Sequence, residues 1–223
     1  MKNDRTLQLD IMDEVEFDPA VDAAGIGVAV SDGVATLTGR VPTYAARMSA
    51  ERAAKRVEGV RAVANELVVE LWPGTERDDT GIAEAAVHTL AWNTTVPSHA
   101  VTVTVDKGWV TLEGAVPWKY QKDAAYEAVA RLTGVRGVTS LVTVSGSVHP
   151  EAVEKRIHSA LQRSASLDAD RIHAESEGNH VTLRGWVRSW AEREDAENAA
   201  WSVFGVADVT NELTVAVEEP AFA

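Results

Sequence analysis

One stretch of about ten residues occurs three times along the chain. The copies are "DGVATLTGRV" from Asp32, "KGWVTLEGAV" from Lys107 and "GNHVTLRGWV" from Gly178. Each is followed about twenty residues later by a Gly-Val pair, at Gly59-Val60, Gly134-Val135 and Gly205-Val206. A fixed internal period makes every copy one folding unit, which constrains the architecture before any single residue is read. Gapless shifts carry Ile26 to Val101 and Ile172, Leu37 to Leu112 and Leu183, and Gly39 to Gly114 and Gly185. They likewise carry Val41 to Val116 and Val187, and Val69 to Val144 and Val215.

Periodicity assigns the elements within each unit. Leu7, Ile11 and Val15 fall at i, i+4, i+8, as do Ile82, Ala86, Leu90 and Val153, Ile157, Leu161, so each unit opens with an amphipathic helix. Pro150 stands where a first-turn proline would in the third of these helices. An alternating strand follows (Ile26, Val28, Val30), then a two-residue turn and a second strand (Ala35, Leu37, Val41). With Asp32-Gly33 as the turn, Val30 faces Ala35 and Val28 faces Leu37, giving one apolar face. The same register holds around Lys107-Gly108 and Gly178-Asn179.

A second helix carries its stripe at Ala50, Ala53, Ala54 and Val57, repeated as Ala125, Ala128, Val129, Leu132 and as Ala196, Ala199, Ala200, Val203. Gly59, Gly134 and Gly205 end it, and a last strand such as Leu67-Val68-Val69 closes the unit. The expected fold class is α+β: three tandem αββαβ units, each a small three-stranded sheet covered on one face by two helices. The units are expected at residues 1–70, 78–145 and 149–217, with linkers at 71–77 and 146–148 short enough for neighbours to touch. The crossover leaves two placements open for the third strand, beside the second or beside the first.

Composition excludes several classes. The net charge is −13, and no unit is basic: residues 1–74 carry 8 basic and 12 acidic side chains, 75–147 carry 6 and 8, and 148–223 carry 7 and 14. Bulk electrostatics therefore argues against nucleic acid and anionic lipid as partners. With no cysteine there is no disulfide framework and no thiolate site. The opening "MKNDRTLQLDIMDEVEFD" is too acidic and interrupted for a signal peptide, so the expected location is the cytoplasm.

The residues Gly33, Leu37, Gly39, Val41, followed by Gly59, Val60, Val63, Asn65 and Leu67, resemble the BON domain, named for bacterial osmotically inducible and nodulation proteins. The resemblance spans nearly the whole chain in three copies. Ser140 replaces the asparagine in the second copy, and Asn179 takes the hairpin glycine's place in the third. It implies an αββαβ fold without catalytic residues or cofactors, in proteins associated with osmotic stress that bind phospholipid, other hydrophobic partners or proteins. Many members carry an export signal.

No HExxH, GxSxG, P-loop or dinucleotide fingerprint occurs, so no catalytic or metal residue is assigned and no enzymatic activity is expected. His173 and His180 flank the third hairpin turn on one face; exposed strand residues are the ordinary reading, and a metal pair the sharper one. Glu192, Glu194, Asp195 and Glu197 sit early in a helix, where carboxylates favour the dipole.

The seven tryptophans are the better lead, because several occupy positions that are not core in the sister units. The candidate interaction surface comprises Tyr44, Trp109, Trp118, Tyr120, Trp186, Trp190, Trp201 and Phe204. Trp201 and Phe204 are expected as an outward i, i+3 pair, and Trp109 and Trp186 on the open sheet face. Packing between units is the first use expected of them, a subunit interface the second, a ligand or lipid surface the third. Trp72 is expected to wedge the first two units together, and Trp92 to close the end of its helix. The expected function is protein interaction or self-association, with phospholipid or amphiphile binding as the alternative and a metal-dependent enzyme a remote third. Any specificity is expected in the third unit, where Trp186, Trp190, Trp201 and Phe204 fall.

Overall fold

The computed structural model describes residues 2–145, 157–160, 171–203 and 206–216. The first helices, α1 (Asp4–Phe17) and α3 (Asp79–Trp92), start at Asn3 and Asp78, whose side chains accept the amides of Thr6 and Gly81. Such caps satisfy donors that the first turn leaves unpaired. Their buried residues are Leu7, Ile11, Val15 and Ile82, Ala86, Leu90. In the third unit residues 157–160 are helical and Ile157 is buried; Pro150, Val153 and Leu161 lie outside the described residues.

Three hairpins follow: β1 (Ile26–Ser31) with β2 (Val34–Val41), β4 (Val101–Asp106) with β5 (Trp109–Val116), and β7 (Ile172–Glu177) with β8 (His180–Val187). Val30 pairs with Ala35 and Val28 with Leu37, and the sister hairpins keep that register. Asp32 and Gly33 both take positive φ (50° and 75°), as do Lys107 and Gly108 (51° and 80°), the pattern of type I′ turns. In the third turn Gly178 has φ 64°, glycine standing at the first central position.

The second helices are α2 (Tyr44–Arg56), α4 (Lys119–Ala130) and α5 (Trp190–Trp201). Their alanine faces let the helix lie close on the sheet: Ala50, Ala53 and Ala54 are fully buried. The third strands β3 (Ala62–Val69) and β6 (Gly137–Val144) run parallel to β2 and β5, giving orders β1-β2-β3 and β4-β5-β6. The placement that the sequence leaves open is thus resolved with the hairpin's second strand at the centre. In the third unit this strand is broken into β9 (Asp208–Asn211) and β10 (Thr214–Val215), both parallel to β8.

Gly39 shows why one glycine recurs in every copy. It sits on β2 at φ 119°, and a Cβ there would collide with the carbonyl of Gly25 as the chain enters β1. Gly114 and Gly185 meet Ala100 and Arg171 in the same way. Each unit has its own hydrophobic core. Units of this size bury a modest share of their surface, so contacts between them matter to stability.

Candidate interaction site

The three second helices meet. Tyr44, Lys119 and Trp190 are their first residues and occupy one repeat column, and each reaches a different neighbouring unit. Tyr44 and Met48 of α2 pack on the core of the second unit, where the Tyr44 and Tyr126 hydroxyls lie 2.8 Å apart. Trp190 of α5 packs on the core of the first unit, with Lys55 Nζ 5.6 Å from its ring centre. Lys119 of α4 places Nζ 5.9 Å from the ring of Trp201 in the third unit. The third unit therefore docks on the first, the first on the second and the second on the third, closing a pseudo-threefold ring by a heterologous contact. A cavity of about 380 Å³ opens between the helices, lined by residues of all three, Tyr44, Tyr126 and Trp190 among them.

The second unit differs at a set of coupled positions beside this seam. In the first unit Asn65 donates to Glu51 (2.9 Å) and to the Arg47 carbonyl (3.4 Å), while Arg47 donates to the Asn65 carbonyl (3.0 Å). Asn211, Glu197 and Arg193 repeat this network in the third. The corresponding residues of the second unit are Ser140, Tyr126 and Lys122, and the Ser140 hydroxyl is buried without a partner among the described residues. Burial pushes the Glu51 carboxyl up, but hydrogen bonds from Lys55 and Asn65, with the charges of Lys55 and Arg47, outweigh it and hold the group below its ordinary value. Burial, then the hydrogen bond with Tyr44, raises the Tyr126 phenol well above its ordinary range.

Of the candidate aromatics, Tyr44, Trp190 and Trp201 thus lie at the seam, all half-buried. Trp201 also packs on its own core and bonds Glu197 through Nε1 at 3.4 Å; Phe204 lies outside the described residues. Trp186 stands on the open face of its sheet but is only 8% exposed, with the Arg171 guanidinium 4.3 Å from its ring centre. Trp118 is half-buried, 6.3 Å ring to ring from the exposed Tyr120. Trp109 is 47% exposed on the open face of the second sheet. Its six-membered ring rests where a Cβ of Gly137 would be, and Nε1 donates to Thr139 at 2.8 Å. Glycine beneath the ring lets the indole lie flat on β6.

Two linker and helix-end expectations are corrected. Trp72 is 65% exposed rather than wedged: it packs on neither neighbouring core and sits at the start of a turn closed by the Thr75 amide on the Trp72 carbonyl. Trp92 is 76% exposed and does not close its helix: two residues beyond the buried Leu90 it falls on the opposite helix face, its ring 5.8 Å from that of His88 and tilted by 38°. Specificity in the third unit is also not what exposure favours. Among the described residues every exposed large hydrophobic side chain belongs to the first two units or to Trp72 between them.

His173 and His180 share a face but not a site. His173 pairs with Arg184 and His180 with Glu177, four residues apart along β8, or about 13 Å. His180 bonds Asp208 at 2.8 Å and Thr210 at 3.1 Å. Among the described residues no group of three potential ligands could hold a metal ion; His149 lies outside them. Glu192 donates its amide to the Ser189 hydroxyl, the N-cap of α5, and its carboxylate accepts the Arg188 amide just before the helix, contacts that the helix-dipole reading of the acidic cluster did not anticipate. No described helix is long and apolar enough to cross a membrane.

Fold and seam together define a tandem-repeat protein of three αββαβ modules docked through their second helices. The chain belongs to the BON domain family, whose profile matches residues 3–70, 78–146 and 150–217. It is similar to osmotically-inducible protein Y of Escherichia coli (strain K12), 30% identical over 151 residues that cover 63% of this chain and 74% of that protein. Among solved structures it matches CdsD, a structural protein of the type III secretion system of Chlamydia trachomatis. That match is 14% identical, with a TM-score of 0.27 over 95% of this chain and 92% of the other. The C-terminal domain of CdsD matches at 11% identity and the same score, over 96% and 100%.

Proposed function

We propose that the protein is a non-catalytic interaction module of the osmotic-stress response, binding a protein partner or itself through the open sheet face of its second unit. The observation that carries this reading is the posture of Trp109. An indole pinned flat by Gly137 and Thr139 offers its outer face at no conformational cost, as aromatic anchors of interfaces do. Nearby Leu141 is 56% exposed on the same face, while the seam aromatics are committed to holding the units together. The similarity to osmotically-inducible protein Y supports the stress setting. A photo-cross-linking aromatic residue at position 109, irradiated in the native cell, is expected to yield polypeptide adducts that the same group at Glu84 does not. Equal adducts at both positions, or none at 109, would overturn it.

A lipid-surface reading draws on Phe17 and Trp92, which share a repeat column and are both exposed. Vesicle titration separates the two. A blue shift of tryptophan emission with phosphatidylcholine vesicles, lost in Trp92→Ala, supports lipid; an unchanged spectrum removes it.

A further inference from the structure

Each sheet has two edge strands, and five of the six are blunted by charge or by a side-chain cap. An unpaired edge is a template for another strand, which proteins prevent by such devices. Edge β1 has its Val28 carbonyl bonded by Gln8 Nε2 at 2.7 Å. Edge β4 ends in Asp106, and β7 carries His173, Glu175 and Glu177. Edge β3 carries Glu66, its Asn65 carbonyl is bonded by Arg47, and its Leu67 amide is bonded by Asn65 Oδ1 at 3.2 Å. In the third unit Arg193 and Asn211 do the same, Asp208 and Glu212 add charge, and the strand itself is broken.

Edge β6 lacks every one of these devices. Its sequence, Gly137 to Val144 (GVTSLVTV), is continuous and uncharged. Ser140 and Val142 match Asn65 and Leu67, and among the described residues no side chain hydrogen-bonds the Ser140 carbonyl or the Val142 amide.

We infer that β6 pairs antiparallel with β6 of a second copy of this chain, about a twofold axis at Leu141. This deepens the reading of the second unit as the interaction unit and rests on its self-association arm. In that register Ser140 meets Val142 of the other copy with both backbone bonds exchanged, and Leu141 meets Leu141 at the close, non-hydrogen-bonded spacing. Thr139 then faces Thr143 and Val138 faces Val144, favourable cross-strand pairs. The position of Leu141 is Glu66 in the first unit and Glu212 in the third. There the same pairing would set glutamate against glutamate. For a chain of net charge −13, two copies meet at β6 without like charges opposed, and the other uncharged edge, β1, has the Gln8 side chain on its Val28 carbonyl. The exposed leucine at its centre is the residue that pairing would cover.

Sedimentation velocity of the full chain over rising concentration tests this, with Leu141→Glu installing the sister units' residue. Wild type is expected to pass from monomer to dimer mass, Leu141→Glu to stay monomeric over the same range, and Glu84→Gln, at an exposed position of α3, to dimerise as wild type does. Amide exchange at Ser140 and Val142 is expected to slow with concentration while exchange at Asn65 does not, a readout independent of any variant. A wild type that stays monomeric overturns the pairing, leaving the partner-protein arm to the cross-linking result. A Leu141→Glu protein that dimerises as readily as wild type overturns the edge while leaving self-association through another surface.

Discussion

The hydroxyls of Tyr44, in the first unit, and Tyr126, in the second, lie 2.8 Å apart at the point where the two units touch. Tyr126 occupies the place of Glu51 and Glu197 in the sister units, so the second unit exchanges an internal carboxylate for a phenol that serves docking. The exchange carries the neighbours with it: Lys122 and Ser140 stand where the sister units keep arginine and asparagine.

Removing one hydroxyl leaves its half-buried partner short of a bond. Tyr126→Phe is expected to lower the unfolding free energy by about 1 kcal/mol, and the double change with Tyr44→Phe by less than the sum of the singles. The folded Tyr126 phenol lies above its ordinary value of about 10, so its contribution is complete below that pH. The contribution is lost as pH rises through the folded value. Denaturant midpoints across the alkaline range should therefore fall less steeply in Tyr126→Phe than in wild type.

Glu51 works in the opposite sense. Its folded value is depressed, so its contribution is present above the unfolded value of about 4.3 and lost as pH falls through the folded one. Its side chain is 35% exposed, and solvent screening limits the effect to about 0.5–1 kcal/mol. Acid titration of unfolding should show a shallower limb in Glu51→Gln. A limb as steep as wild type would mean that other carboxylates govern it.

Two carboxylates clamp hairpin turns onto the opening helices. Asp4 accepts the amides of Asp32 and Gly33 at 2.9 and 3.1 Å, and Asp79 those of Lys107 and Gly108, both at 2.8 Å. Hydrogen bonds to a charged acceptor contribute more than neutral ones, so Asp4→Ala and Asp79→Ala should each cost about 1–3 kcal/mol. Amide exchange at Gly33 or Gly108 should accelerate in the matching variant and stay unchanged at the other turn. The third unit has Pro150 in that column and no carboxylate to offer there.

The hairpin registers, alanine faces and recurring glycines were legible because each obeys a local rule that every copy repeats: period two, period 3.6, or a turn that demands positive φ. The seam was not. Column comparison treats agreement as core and difference as freedom, yet Tyr44, Lys119 and Trp190 differ because each meets a different partner. Docking in a ring makes one column do one job with three chemistries. Trp186 misleads by the same logic: its column is open in a bare sheet, and Arg171 lies over it. The flat posture of Trp109 was half legible, since Gly137 is visible in the sequence but its pairing opposite Trp109 required the parallel placement of β6.

If the ring is held by these three contacts, they should rank by the surface each buries. Trp190 sets a large half-buried ring on the first unit's core between Lys55 and Arg193, the latter 5.2 Å from its ring centre. Trp190→Ala should therefore cost about 2 kcal/mol, below the 3–5 of a fully buried tryptophan. Lys119 offers only a cation beside a half-exposed ring, and Lys119→Ala should cost about 0.5–1 kcal/mol. Small-angle scattering supplies the second readout. Each unit keeps its own core, so a broken contact opens the ring without unfolding it, and the radius of gyration should rise in Trp190→Ala while circular dichroism stays that of wild type. An unchanged radius in both Trp190→Ala and Tyr44→Ala would show that the units are held together elsewhere.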